Sequence, residues 1–243
     1  MTAIERTKAI VLRRTNYGEA DRILTLLTPL GQRSAIARGV RREKSRLAGG
    51  IELFAVSDVV LRRGKGSLYT ITQARLDRFY RQILQDYDRL QFGYECIKLV
   101  ERASRDVDIP EWFEVLSETL AGLGDVVSLQ LVQVWFYLRY AELTGYELSL
   151  VNDVAGQPLD RQKRYMYDSI ERGLRLSEQG ELTADHIKFL RLAANKSLRL
   201  VAQIGGVEQI LPGCWLLTRQ HAGVYPLNWS LYSETTENQS VLY

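Results

Sequence analysis

Arg22-Ile23-Leu24-Thr25-Leu26-Leu27-Thr28, followed by Pro29-Leu30-Gly31 and then Arg33-Ser34-Ala35-Ile36-Ala37-Arg38, sets the architecture of the first part of this chain. The first run is β-rich, Pro29 to Gly31 supply turn chemistry, and the second run alternates polar with apolar residues as a half-buried strand does. Upstream, Ala9-Ile10-Val11-Leu12 gives another strand, joined most simply as a hairpin. Downstream, Leu53–Leu61 with Val56, Val59 and Val60, and then Leu68-Tyr69-Thr70-Ile71-Thr72, complete a set of five. Five short strands in about 75 residues predict a small closed barrel of the OB type, because closure hides strand edges.

After Asp77 the period of the pattern changes. Ile83, Tyr87, Leu90, Tyr94 and Ile97 recur at three- and four-residue steps and are assigned to one helical face. A second helix is expected from about Asp108 and Pro110 to Gly122 or Gly124, with the acidic pair Asp106 and Asp108 capping its start. Leu129–Leu143 is apolar on nearly every side and reads as the central helix of a bundle. Thr183 is expected to cap a last long helix with Ile187, Leu190, Ala194, Leu198 and Val201 facing inward. The fold class is therefore α+β: a barrel at 1–80, a helical part at 81–204 interrupted by a small hairpin or insertion at about 146–182, and an irregular segment at 205–243. In that segment Trp215, Leu216, Leu217, Tyr225 and Trp229 are candidates to pack back on the bundle.

Charge divides along the same line. Residues 1–81 carry 17 Lys and Arg against 7 Asp and Glu, a balance of +10, whereas residues 82–243 carry 15 against 22, a balance of −7. The basic residues concentrate in Gly39-Val40-Arg41-Arg42-Glu43-Lys44-Ser45-Arg46, where, with Arg38, five cations face one anion. A field of this kind attracts a polyanion. Arg38, Arg41, Arg42, Lys44 and Arg46 are the first candidates for phosphate contacts, supported by Arg13, Arg14, Arg62, Arg63 and Lys65. Tyr17, Tyr69, Phe79 and Tyr80 are aromatic residues on which bases could stack. No apolar run reaches the roughly 20 residues that span a bilayer, and the N-terminus lacks the apolar core of a signal peptide, so a soluble cytoplasmic protein without membrane contact is expected.

The pattern offers little for catalysis. His186 and His221 are the only histidines, and Cys96 and Cys214 lie far apart, which suits burial better than a disulfide or a metal site. Arg63-Gly64-Lys65-Gly66-Ser67 lacks the spacing of a phosphate-binding loop and precedes a strand, so it reads as a hairpin turn. Glu19 and Asp21 are the close acidic pair of the basic half and are assigned to bonds with Arg22 or the turn backbone. No enzyme activity and no cofactor are expected.

Thr7-Lys8-Ala9-Ile10-Val11-Leu12, the run from Tyr17-Gly18-Glu19-Ala20-Asp21-Arg22 to Thr28, the segment Gly39 to Leu47, and Thr70-Ile71-Thr72-Gln73-Ala74 together resemble the opening of the RecO family of bacterial recombination mediators. Leu143-Thr144-Gly145-Tyr146, closing a long apolar helix, is similar too. The resemblance implies an OB-fold followed by a helical bundle. It also implies binding of single- and double-stranded DNA, annealing without nucleotide hydrolysis, and work with RecR and single-stranded-DNA-binding protein to load RecA, in the cytoplasm at the nucleoid. Many members carry a cysteine-ligated zinc module after the Gly-Tyr element. Here Glu147–Arg175 holds no cysteine, so the module is expected without its metal. The alternative is a non-enzymatic adaptor whose barrel binds protein alone, and a metal-dependent nuclease is the reading with least support.

Overall fold

The computed structural model describes residues 4–224 apart from 65, 106 and 126. Five strands, β1 (Ile4–Tyr17), β2 (Asp21–Thr28), β3 (Gly31–Ala37), β4 (Ala55–Arg63) and β5 (Tyr69–Phe79), close into a barrel in the order β1-β2-β3-β5-β4. Neighbours pair antiparallel except β3 with β5, which run parallel through Ala35–Tyr69 and Ile36–Thr70 and close the barrel. The β2–β3 turn needs Gly31. Its φ is +96°, and a Cβ there would collide with the Asp108 carboxyl.

Alternation along the strands fills two different cores. Ala9, Val11, Leu24, Leu26, Ala35, Ala37, Val59, Leu61 and Ile71 form the barrel interior. Ile10, Leu12, Leu27 and Val56 point the other way, yet they too are buried, inside the core of the helical part. The unbroken apolar run Ala9–Leu12 is thereby explained: successive side chains face opposite sides of β1, and both sides are covered.

Three helices cover that side: α1 (Tyr87–Ala103), α2 (Glu111–Gly124) and α3 (Leu129–Leu143). The Asp86 carboxylate accepts the Arg89 N–H at 3.1 Å and caps α1. α3 is the central helix, with Val132, Val134, Trp135, Phe136, Tyr137 and Leu138 all buried. Shorter elements complete the chain: a hairpin of β6 (Tyr165–Asp168) and β7 (Gly173–Leu176), then α4 (Ala184–Asn195), α5 (Leu198–Val201) and α6 (Leu211–His221).

The structure corrects four expectations. β5 runs on to Phe79, and Ile83 then falls in a 3-10 turn (Arg81–Gln85), where it is fully buried; Tyr87 opens α1 and is exposed. Asp108 caps nothing. Its carboxylate lies 3.8 Å from the Arg33 guanidinium, while α2 starts after Pro110 with no side-chain cap; Asp106 lies outside the described residues.

The helix expected from Thr183 to Val201 breaks at Lys196-Ser197. Partners from α2 and α3 satisfy the freed groups: Arg139 donates to the Ala194 carbonyl at 3.0 Å, Trp135 Nε1 to the Lys196 carbonyl at 2.9 Å, and the Leu198 N–H to the Glu118 carboxylate at 2.8 Å. Finally, the segment from 205 is not irregular throughout. Pro212 sits in the first turn of α6, which lacks intrahelical N–H donors to lose, and Leu211, Cys214, Leu217, Thr218 and His221 bury one face. Trp215 is half-buried and Leu216 exposed, while Tyr225 and Trp229 lie outside the described residues.

His221 ties the β6–β7 hairpin to α6. Its Nε2 lies 2.7 Å from the Tyr146 carbonyl, which can only accept, so Nε2 carries the proton and Nδ1 accepts the Tyr167 hydroxyl at 3.1 Å. The Arg172 guanidinium donates to the His221 carbonyl at 2.7 Å and covers the Tyr146 ring 4.2 Å from its centre. Burial holds the imidazole pKa below its ordinary value. The folded state therefore binds fewer protons than the unfolded chain as pH falls through the ordinary histidine range. His221 thus contributes stability in full above about pH 6.5 that declines below it. We expect wild-type Tm to fall between pH 7 and 5 by more than that of His221→Gln, as thermal melts will show.

Candidate nucleic-acid interface

The basic turn is held by its backbone and by one buried side chain. The Asp21 carboxylate accepts the Gly39 N–H at 2.7 Å, the Arg41 N–H donates to the Ala20 carbonyl at 2.9 Å, and the Arg42 N–H to the Gly39 carbonyl at 3.1 Å. Val40 points down into the barrel core and Leu47 packs against it. Anchored at both ends, the turn presents Arg38, Arg41, Arg42, Lys44 and Arg46 to solvent. Arg41 reaches the Gly18 carbonyl at 3.3 Å, and among the described residues the other four have no ion-pair or side-chain hydrogen-bond partner. Asp21 is thereby engaged in turn geometry, the assignment read from the sequence.

The remaining candidates separate into two groups. Arg13 pairs with Glu101 of α1 at 3.0 Å and Arg14 with Glu52 at 2.8 Å, so both are partly neutralised within the fold. Arg62 and Arg63 end β4, exposed and unpaired among the described residues, whereas Lys65 lies outside them. Of the aromatics, Tyr17 is exposed beside the basic turn, and Tyr69 and Phe79 are half-buried. Tyr80 is buried, resting against Gly124, which removes it from the stacking set.

Sequence reasoning missed the groove that adjoins the turn. It crosses the outer face of β1, β4 and β5, has a volume of about 800 Å³, and is lined by Arg6, Lys8, Arg46, Asp58 and Arg75 among others. Strand register assembles it: Arg6 lies opposite Val60, Lys8 opposite Asp58, and Asp58 opposite Arg75. Lys8 bridges Asp77 and lies 3.7 Å from Asp58, which also holds Arg75 at 3.1 Å. These contacts raise the Lys8 pKa and lower that of Asp77. Arg6 and Arg46 keep their charge unpaired among the described residues. The available signal was the two-residue spacing of Arg6 and Lys8, which puts both on one face of a strand.

A metal centre does not fit the hairpin region. Its aspartates serve turns and an ion pair: Asp153 accepts the Ala155 and Gln157 N–H groups, Asp160 the Gln162 N–H, and Asp168 pairs with Arg175. Cys96 and Cys214 are buried elsewhere as thiols, the latter pushed up to about 12 by burial. With no cysteine in the region, and with the nearby imidazoles engaged by Thr183 (His186) and by Tyr146 and Tyr167 (His221), we expect metal analysis of purified protein to find no stoichiometric zinc and chelator to leave Tm unchanged. One zinc per chain would contradict this. No described helix is long and apolar enough to cross a membrane.

A closed barrel whose first and fourth strands pair antiparallel and whose third and fifth pair parallel, set on a helical bundle, makes this an OB-fold protein of the α+β class. The model of the family described as Recombination protein O N terminal matches residues 1–80. DNA repair protein RecO of Alkaliphilus metalliredigens is 32% identical over 173 residues, covering 70% of this chain and 69% of the relative. The corresponding proteins of Roseiflexus sp. and Heliobacterium modesticaldum are 38% and 41% identical, over 60% and 64% of this chain. The chain belongs to the RecO family. Its matched region spans 52% and 57% of the length of the last two relatives.

Proposed function

We propose that this protein acts in DNA repair and recombination by binding single- and double-stranded DNA through its barrel and pairing complementary strands without chemistry of its own. The observation that carries the reading is the anchored turn at 38–46. Among the described residues, four of its five exposed cations have no partner in the fold, and Arg46 leads into a groove where Arg6 is also free. Such a surface neutralises phosphates and so removes the repulsion between two strands brought side by side. Arg62 and Arg63 add exposed charge on the same barrel, with Lys65 kept as a candidate from the sequence alone, while Arg13 and Arg14 add less because Glu101 and Glu52 already hold them.

Residues 1–80 are the DNA-binding unit in this reading. The helical part, 81–204, with the hairpin at about 146–182, carries the protein contacts expected of a family member: RecR, single-stranded-DNA-binding protein and, through them, RecA. The relatives are named for DNA repair, which supports the assignment of role. An annealing assay tests it, using complementary oligonucleotides, bare or coated with single-stranded-DNA-binding protein, with and without RecR, at several salt concentrations. Annealing that weakens steeply with salt and persists on coated strands is the expected result. Absence of annealing, with DNA affinity insensitive to salt, would favour a barrel that binds protein alone.

A further inference from the structure

We propose that Asp58 sets how tightly the barrel holds a DNA strand, by occupying cations in the groove beside the basic turn; this rests on the reading of the barrel as the DNA-binding unit. Alternation along the strands fixes where its carboxylate stands. Ala9 and Val59 face the barrel interior and Ala74 packs against it, so their neighbours Lys8, Asp58 and Arg75 project outward from β1, β4 and β5. Register then sets the three side by side, with Lys8 opposite Asp58 and Asp58 opposite Arg75. Side chains directly opposite on neighbouring strands are within reach of one another.

The contacts follow from that row. Arg75 Nη2 lies 3.1 Å from Asp58 Oδ2, Lys8 Nζ stands 3.7 Å from Asp58 Oδ1, and Asp77 also bridges Lys8. Two carboxylates therefore balance two cations across the groove. Arg6 and Arg46, which line the same groove, have no such partner among the described residues.

The row is not what holds the barrel together. The Arg75 side chain is 83% exposed and that of Asp58 41%, and ion pairs so open to water add little stability. β4 and β5 are in any case joined by their backbone ladder. What the pairs do change is the charge offered to a polyanion. A phosphate that approaches Arg75 displaces a carboxylate already bound and is repelled by it, so the contact is an exchange of partners with little net gain. Arg46 meets a phosphate with no anion to displace. The groove thus combines cations that hold a strand with cations that let it go.

Binding of a fluorescein-labelled oligothymidylate to the full chain, measured by anisotropy over a series of salt concentrations, tests the proposal. Asp58→Asn should bind about fivefold tighter near 0.1 M salt and steepen the plot of log affinity against log salt by about 0.7, the share of one phosphate contact on a single strand. Its melting temperature should stay within about 2 °C of the parent. Asp58→Ser gives the same readings should the asparagine variant melt early. Arg75→Ala should cost several times more affinity in the Asp58→Asn background than in the parent, because only there is the guanidinium free for phosphate. Glu43→Gln removes the same charge from the neighbouring turn and should leave the cost of Arg75→Ala at its parent value, which separates release of Arg75 from a general change of field. A parent that binds DNA while Asp58→Asn and Asp58→Ser bind no tighter, or an unchanged cost of Arg75→Ala in their background, would overturn this proposal alone. A parent that does not bind DNA would overturn it together with the reading of the barrel.

Discussion

Charge reversal of Arg41, Arg42 and Lys44 to Glu together should lower DNA affinity on the order of a hundredfold or more at low salt and leave the melting temperature within about a degree of the parent. All three side chains are exposed, and apart from the 3.3 Å hydrogen bond of Arg41 to the Gly18 carbonyl the turn is held by its backbone, Val40 and Asp21. Removing one phosphate contact should flatten the plot of log affinity against log salt by about 0.7 for single strands and 0.9 for duplex, so the slope of the triple variant drops by roughly two to three units. Binding measured by anisotropy over a series of salt concentrations checks both numbers. A variant that melts like the parent and keeps its affinity and slope would make the turn a solvated loop and move the interface to Arg62 and Arg63.

The largest stability effect is expected at Phe54. Its side chain is fully buried, meets the Tyr94 ring edge-on at 5.0 Å, and rests against Gly93, where a Cβ would stand 2.9 Å from Cε1 of the ring. Phe54 belongs to a strand-entry segment of the barrel yet packs in the helical core, so it joins the two parts. Phe54→Ala should cost about 3–5 kcal/mol, through the apolar surface it no longer buries and the cavity it leaves, and lower Tm by about 10 °C or more.

Phe54 also has φ +56°, a conformation that side chains other than glycine adopt at a cost, held here by the packed ring. Phe54→Gly should therefore be about 1 kcal/mol more stable than Phe54→Ala, the reverse of the usual order. Circular dichroism at helical and aromatic wavelengths, which should fall in one transition in every variant, gives the measurement. Equal stability of the two variants would show that the left-handed backbone stores no strain.

The five strands, three of the helices and the basic turn were legible because each is written in local pattern. Alternation in Arg33–Arg38, the turn at Pro29–Gly31 and the all-round apolar Leu129–Leu143 need no distant partner to be read. The features that escaped were settled elsewhere in the chain. Apolar periodicity continues through Lys196-Ser197, but Trp135, Arg139 and Glu118 satisfy the backbone groups that a break exposes, and the helix divides. Pro212 and Gly213 read as breakers until a helix start makes the proline harmless. The groove beside Arg46 draws on β1, β4 and β5, residues far apart in sequence, and no single window contains it.

The difference is one of range. That strands open the chain, that helices come after them and that positive charge gathers at 38–46 can be read residue by residue, since side-chain period and formal charge are properties of adjacent residues. Which of those charges stay available is settled only in the packed molecule. Arg13 and Arg14 look as basic as Arg41 and Arg42, but Glu101 and Glu52 come from other elements to meet them, while nothing described reaches Arg42, Lys44 or Arg46 with an opposite charge. Neutralisation needs a partner within a few ångströms, and distance in space is set by closure of the barrel onto its helices, not by distance along the chain.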